Sequence, residues 1–206
     1  MVTYLGKIGE LSLKGSNIHF FERLLVKNVR ECLKGTEAKV ALFAGRLYID
    51  CEESACEVVE HVLAHLLGIT GWARTVTCEK NIDDIKKAVR AVAESAKTMK
   101  DARTFKIEAK RGDKTFPLNS YELAVEAAAA VFDDRFMDVD VHNPDVRIYI
   151  EVRERVFVYS DAQTGCRGLP AGCSGHGLLL LSGGLDSPVA GYRMMRRRSE
   201  EHTSEL

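Results

Sequence analysis

Residues 178–188 read LLLLSGGLDSP. By composition, Leu178–Leu181 is a strand buried on both faces. It runs directly into Ser182-Gly183-Gly184 and then into a helix-like segment, Val189–Arg197. Glycines at 183 and 184 allow a tight turn and close approach of a ligand to the main chain. Ser182, Ser187 and the free N–H groups of a helix N-terminus together suit a phosphate-type anion. Pro188 fits the first helical turn, where its missing N–H costs little. Asp186 is better suited to holding Mg²⁺ against such an anion than to touching it. The string is neither G-x-x-x-x-G-K-S/T nor G-x-G-x-x-G.

Upstream of this stretch, Thr164–Gly177 carries five glycines and one proline without apolar periodicity, the composition of a linker. Farther upstream, residues 103–120 read RTFKIEAKRGDKTFPLNS. Arg103, Lys106, Lys110, Arg111 and Lys114 outnumber Glu108 and Asp113 by three charges. Phe105, Ile107 and Ala109 alternate with Lys106, Glu108 and Lys110, the pattern of a half-buried strand. Such a stripe can neutralise several phosphates, with Phe116 nearby for packing or for stacking on a base.

The rest of the chain sets the context. It has 206 residues, 46% hydrophobic and 29% charged, enough for one or two ordinary globular domains. Charge balances at 29 Lys+Arg against 30 Asp+Glu, so a nucleic-acid surface must be a local patch. No apolar run approaches membrane-spanning length and Met1–Lys7 does not resemble a signal peptide, so the expected setting is cytoplasmic, with no membrane partner. The six cysteines lack C-x-x-C and zinc-ligand spacing and read as free thiols.

The order of expected elements is strand 2–8, helix 17–34, a hairpin of 39–43 and 46–51, and a helix 55–67 capped by Ser54. This is close to a ferredoxin-like split unit. Strand 71–78, helix 81–97 capped by Asn81, strand 103–110, a helix capped by Asn119 or Ser120, and strands 139–141, 146–152 and 155–159 then build a mixed sheet. The fold class is α+β passing into α/β, with expected domains 1–57 and 58–163, a linker 164–177, and a strand and helix over 178–197. Residues 198–206, RSEEHTSEL, are aperiodic, resemble a translated sequencing adapter, and are expected to lie outside the fold.

Three of these segments resemble known families. SGGLDS is similar to the SGGxDS loop of the PP-loop ATP pyrophosphatases. FKIEAKRGDKTFPLNS followed by VHNPDVRIYIEV resembles the RNA-binding THUMP domain. The order of the two, the opening GELSLKGSNIHFFERLLVKNV and the connector GLPAGCSGHGLLLLSGGLDSPVAGYRMMRR resemble the tRNA 4-thiouridine synthase (tRNA sulfurtransferase) family.

The resemblance implies a ferredoxin-like domain, a THUMP domain and the start of a PP-loop domain. It implies that Ser182, Gly183, Gly184, Asp186 and Ser187 bind ATP pyrophosphate, with Leu180 and Leu181 toward the adenine. Asp186 would be catalytic through Mg²⁺. Lys14, Arg103, Lys106, Lys110, Arg111 and Lys114 would meet tRNA. It also implies a cysteine desulfurase as sulfur donor, a link to thiamine thiazole synthesis through a sulfur-carrier protein, and a homodimer. The family's sulfur-carrying cysteine matches none of the six here, and the PP-loop sheet lacks its later strands, so the chain is expected to be a truncated frame, inactive alone. Rival readings are a stand-alone THUMP-type RNA-binding module, a THUMP methyltransferase, which the SGGLDSP loop disfavours, and a small-molecule PP-loop ligase, which the basic stripe disfavours. Lesser candidates are His61 with His65, Trp72, Arg147, Arg167 and Arg196–Arg198.

Overall fold

A computed structural model describes residues 1–9, 17–132, 135–173, 175–196 and 200–205. The chain divides into two compact units, Met1–Trp72 with Gln163–Leu206, and Ala73–Ala162.

The first unit opens with β1 (Val2–Ile8), α1 (Ile18–Cys32), β2 (Lys39–Phe43) and β3 (Arg46–Cys51). It continues through a 3₁₀ turn, Glu53–Ala55, α2 (Cys56–His65) and the first residues of β4 (Ile69–Cys78). β1 pairs antiparallel with β3, and β2 with β3 in the hairpin expected from sequence. Ala44 and Gly45 turn that hairpin with φ of 46° and 74°, the left-handed pair that matches strand twist. Leu25 and Val29 of α1 and Val59 and Leu63 of α2 are buried with Tyr4, Leu47, Ile49 and Ile69 in one core. Both helices are amphipathic, and burying their apolar stripes on the sheet is what stabilises them.

Three expectations are corrected in this unit. The boundary expected after Glu57 falls after Trp72, because a split β-α-β unit needs its second helix and fourth strand to close the core. Ser54 lies inside the 3₁₀ turn, and the cap position of α2 is Ala55, with no side-chain cap bond. Residues 164–171 also do more than link. β9 (Gln163–Thr164) pairs with Gly71 and Trp72 of β4, Gly165 N–H donates to the Thr70 carbonyl at 3.0 Å, and Arg167 N–H donates to the Ile69 carbonyl at 2.8 Å. Leu169 is 3% exposed in the same core. Glycine content alone hides this, since main-chain pairing leaves no side-chain period.

The unit ends with β10 (His176–Leu181), α5 (Asp186–Arg196) and β11 (Glu200–Glu205). β11 pairs parallel with β10 along its whole length, so the segment expected to lie outside the fold contributes a strand. The leucine run is a strand as expected but is not buried on both faces. Leu178 is 70% and Leu180 53% exposed, because β10 has only β11 as a described neighbour. Leu185, Val189, Tyr192 and Met194 are exposed as well.

The second unit takes the later residues of β4, then α3 (Ile82–Lys100), β5 (Thr104–Arg111), α4 (Ser120–Phe132), β6 (Asp138–Val139), β7 (Val146–Val152) and β8 (Val156–Tyr159). Its strand order is β4-β8-β7-β5-β6, antiparallel across the first two pairings and parallel across the last two. Asn81 caps α3 by accepting from Asp84 N–H at 2.8 Å. Asn119 caps α4 by accepting from Tyr121 and Glu122 N–H groups, while Glu122 accepts from Asn119 N–H at 2.9 Å, a reciprocal capping box. Ile85, Val89 and Val92 of α3 and Leu123, Ala127 and Val131 of α4 bury against Phe105, Ile148, Ile150 and Val158.

The contrast between the two leucines is testable by urea unfolding. Leu169→Ala should lower stability by about 2–5 kcal/mol, the usual cost of truncating a buried leucine. Leu178→Ala should stay within about 0.5 kcal/mol of the parent.

Candidate nucleotide and nucleic-acid sites

The turn after β10 is held by two serines. Ser182 N–H donates to Ser187 Oγ at 3.1 Å, and the two hydroxyl oxygens lie 3.2 Å apart. These bonds cross the Gly183-Gly184-Leu185 turn and set it against the first turn of α5, which begins at Asp186. Neither glycine has positive φ, so the turn's own conformation does not demand glycine. A Cβ on Gly183 would meet no heavy atom within 4 Å. The open side of the turn therefore faces free space at a helix N-terminus, where an anion's oxygens reach main-chain N–H groups. That geometry suits a phosphate-type anion. Asp186 is exposed at the first turn of α5 and is available to a cation there. Among the described residues no three carboxylate, histidine or cysteine groups gather into a metal cage. Mg²⁺ at Asp186 would thus need phosphate oxygens and water for its remaining ligands.

The basic residues of 103–114 divide into two groups. β5 rises ~3.3 Å per residue, which puts Arg103 ~26 Å from Arg111. At the first end, Arg103 pairs with Asp101 at 3.2 Å on the open surface. Asp145 accepts from Arg103 N–H, Thr104 N–H and the Thr104 hydroxyl, and these bonds hold its carboxyl below the ordinary range. In mid-strand, Lys106 lies 3.7 Å from Glu108, which also takes Arg147 at 2.9 Å, so one carboxylate is shared by two cations there. Arg147 is the cross-strand neighbour of Lys106 in the parallel register of β5 and β7.

The second end is different. Lys110 and Lys114 are exposed and make no ion pair among the described residues. Between them, residues 111–116 form a tight loop. Gly112 and Asp113 N–H groups both donate to the Val152 carbonyl, at 2.8 and 3.1 Å. A side chain at 112 would bring its Cβ to 3.1 Å from that oxygen, a tight contact that glycine avoids. Arg111 N–H donates to Ser120 Oγ, and its guanidinium donates to the Phe116 carbonyl at 3.2 Å. Phe116 is buried in the core, so of its two expected roles it packs and does not stack.

Asp113 is the residue that charge counting undervalued. Lys80 Nζ donates to its Oδ2 at 2.7 Å, and the Thr115 hydroxyl and N–H donate to Oδ1 at 2.7 and 2.9 Å. Lys80 first, and Thr115 after it, hold this carboxyl well below the usual carboxylate range. The D-x-T spacing was the available sequence signal, since Asp commonly accepts from the main chain two residues on.

Other candidates resolve simply. Trp72 is 8% exposed and packs near Tyr4, ring centroids 6.1 Å apart, so it is core. The rings of His61 and His65 lie 4.5 Å apart, tilted by 40°, with His65 Nδ1 bonded to the His61 carbonyl, an ordinary helix-surface pair. Arg167 is exposed and Arg196 ends α5. Lys14, Arg197 and Arg198 lie outside the described residues. All six cysteines are free thiols, and burial, followed by Asp84 and Glu79, pushes the Cys78 thiol up to about 11, far from a reactive thiolate. Among the described residues no helix is long and apolar enough to cross a membrane.

Three family models match the chain in succession: the ThiI ferredoxin-like domain over residues 3–73, the THUMP domain over 79–161, and the thiamine biosynthesis protein ThiI over 172–204. The chain is 48% identical over 197 residues to a probable tRNA sulfurtransferase of Treponema pallidum (strain Nichols), covering 94% of this chain and 49% of that protein. It is 43% identical to a probable tRNA sulfurtransferase of Thermoanaerobacter sp. (strain X514), covering 94% of this chain and 50% of the relative. Among solved structures, a 4-thiouridine synthetase in complex with RNA and bound ATP superposes with a TM-score of 0.87 at 30% identity, covering 100% of this chain and 52% of that one. The Pyrococcus horikoshii Ot3 protein PH1313 superposes with a TM-score of 0.88 at 26% identity, covering 100% of this chain and 68% of that one. The chain spans about half the length of the curated relatives it matches. With the ferredoxin-like, THUMP and ThiI models following one another along it, the chain belongs to the ThiI family.

Proposed function

We propose that this chain is the tRNA-binding half, together with the nucleotide turn, of an ATP-dependent tRNA sulfurtransferase that makes 4-thiouridine. The observation that carries the reading is the serine-braced turn of 182–187, open at Gly183, in the same chain as a THUMP unit whose basic loop keeps two lysines without an ion pair among the described residues.

In this reading Lys110, Arg111 and Lys114 meet the tRNA backbone. Lys106 and Arg103 contribute less, because Glu108 and Asp101 already face them. Ser182, Gly183, Gly184 and Ser187 cradle the pyrophosphate, Leu180 and Leu181 border the nucleoside, and Asp186 holds Mg²⁺ beside it. A uridine carbonyl oxygen is a poor leaving group, and ATP supplies the activation that lets sulfur displace it as AMP. A persulfide delivered by a cysteine desulfurase is the sulfur source in this scheme; once its terminal sulfur has displaced AMP, a second thiol cleaves the S–S bond, forming a disulfide and leaving the thiocarbonyl. A sulfur-carrier protein of thiamine synthesis, a homodimer and a cytoplasmic setting complete the proposal. The contribution of this chain's own residues is binding and orientation. They fix a phosphate chain by main-chain N–H groups and an RNA by its backbone, and both sites act by preorganisation.

Two experiments test this reading. In a gel shift with tRNA, Lys110→Glu with Arg111→Glu should weaken binding by about tenfold or more and flatten the salt dependence, since fewer counterions are released. Unchanged affinity would remove the loop from the interface. In a protein of the relatives' full length, Asp186→Ala should abolish 4-thiouridine formation and Gly183→Ala should weaken ATP binding by calorimetry, both with tRNA affinity intact. Full activity in either variant would refute the nucleotide role of the turn.

A further inference from the structure

An acidic side chain in the middle of a basic loop is unexpected in a surface that meets a polyanion. Coulomb's law alone makes Asp113 a defect there, because it repels phosphate and offers its neighbour Lys114 an internal partner. The geometry gives it a different task. None of its described contacts is to Lys110 or Lys114: Oδ2 takes Lys80 Nζ at 2.7 Å, and Oδ1 takes the Thr115 hydroxyl and N–H at 2.7 and 2.9 Å. Lys80 stands between β4 and α3, outside the basic stripe. The main chain of Asp113 is pinned too, its N–H on the Val152 carbonyl and its own carbonyl accepting from Phe116 N–H at 3.4 Å.

We propose that Asp113 is a positioning residue for RNA binding. Clamped between Lys80 and Thr115, its carboxylate fixes the 111–116 loop so that Lys110 and Lys114 stand as unpaired cations at its two sides. Lys80 is the cation that neutralises the acid, which spares the two lysines that would otherwise do so. Thr115, bonded to the same carboxylate, sets the direction in which the chain leaves Lys114. The inference rests on the reading above that this loop meets tRNA phosphate.

The charge argument and the positioning argument predict opposite signs, which makes the test direct. Asp113→Ala and Asp113→Asn each raise the net charge by one unit, so charge alone predicts tighter tRNA binding. Positioning predicts weaker binding, by about threefold to tenfold for Asp113→Ala. It predicts a smaller loss for Asp113→Asn, which keeps an acceptor for Thr115 and loses only the pairing with Lys80. The salt dependence should become shallower in both variants, a readout that a purely structural role does not move. Lys80→Met should weaken binding alone and add little on top of Asp113→Ala, because both break one clamp. The measurements use this chain with tRNA, beside Lys110→Glu with Arg111→Glu as the control. Affinity equal to or above the parent in Asp113→Ala and Asp113→Asn, with the control weakened, overturns the positioning role and leaves the loop at the RNA. A control that binds as well as the parent overturns both. If Asp113→Ala does not fold, Asp113→Asn decides the question by the same sign, and Lys80→Met by whether its loss adds to that of Asp113→Asn.

Discussion

Parallel pairing of β5 with β7 is the constraint from which the basic loop follows. The register sets Arg111 beside Val152 at the ends of both strands. The Val152 carbonyl, left at the end of the ladder, then captures two successive N–H groups, those of Gly112 and Asp113. Buried main-chain groups rarely stay unpaired, so this one oxygen turns the chain sharply and leaves a side chain at 112 little room. Phe116 closes the loop from the other side by entering the core under α3 and α4. The cations at the loop's edges are thereby carried on a segment tied to the sheet by main-chain bonds and to the core by Phe116.

The serine-braced turn of 182–187 is built on a different principle. Its shape comes from one side-chain pair, Ser182 with Ser187, bridging a strand end to a helix start. The glycines there serve empty space rather than backbone strain, since neither has positive φ and no atom crowds Gly183. The apolar residues around it are another matter. Leu178, Leu180, Leu185 and Val189 lie open along β10 and the turn into α5, where an α/β sheet ordinarily has further strands and helices on both faces.

Much of the fold was legible in the residues. The alternation of Phe105, Ile107 and Ala109 with charged neighbours marked β5, and Asn81 and Asn119 marked two helix starts by a local chemistry that needs no tertiary information. Ala44-Gly45 marked the hairpin for the same reason. Ser54 misled because a 3₁₀ turn intervened, and the glycine-rich segment after β9 misled because its order comes from main-chain bonds to Ile69 and Thr70, which have no sequence period. At the candidate sites, charge counting found Lys110 and Lys114 but grouped Arg103 with them, although it stands at the opposite end of the strand and faces Asp101.

The sequence by itself determined the residue types, the periods and the short-range turns, because helix caps, strand alternation and glycine turns act within a few residues of one another. It also determined that a serine-glycine turn follows a strand and precedes a helix. Only the tertiary structure decided which cations remain free and which are spent on a neighbour, since Glu108 with Arg147 and Asp113 with Lys80 are pairings between residues 39 and 33 positions apart. The same holds for the docking of Leu169 into a core begun more than a hundred residues earlier. Pairing of charges and burial of side chains depend on distance in space, and only the folded sheet sets that distance.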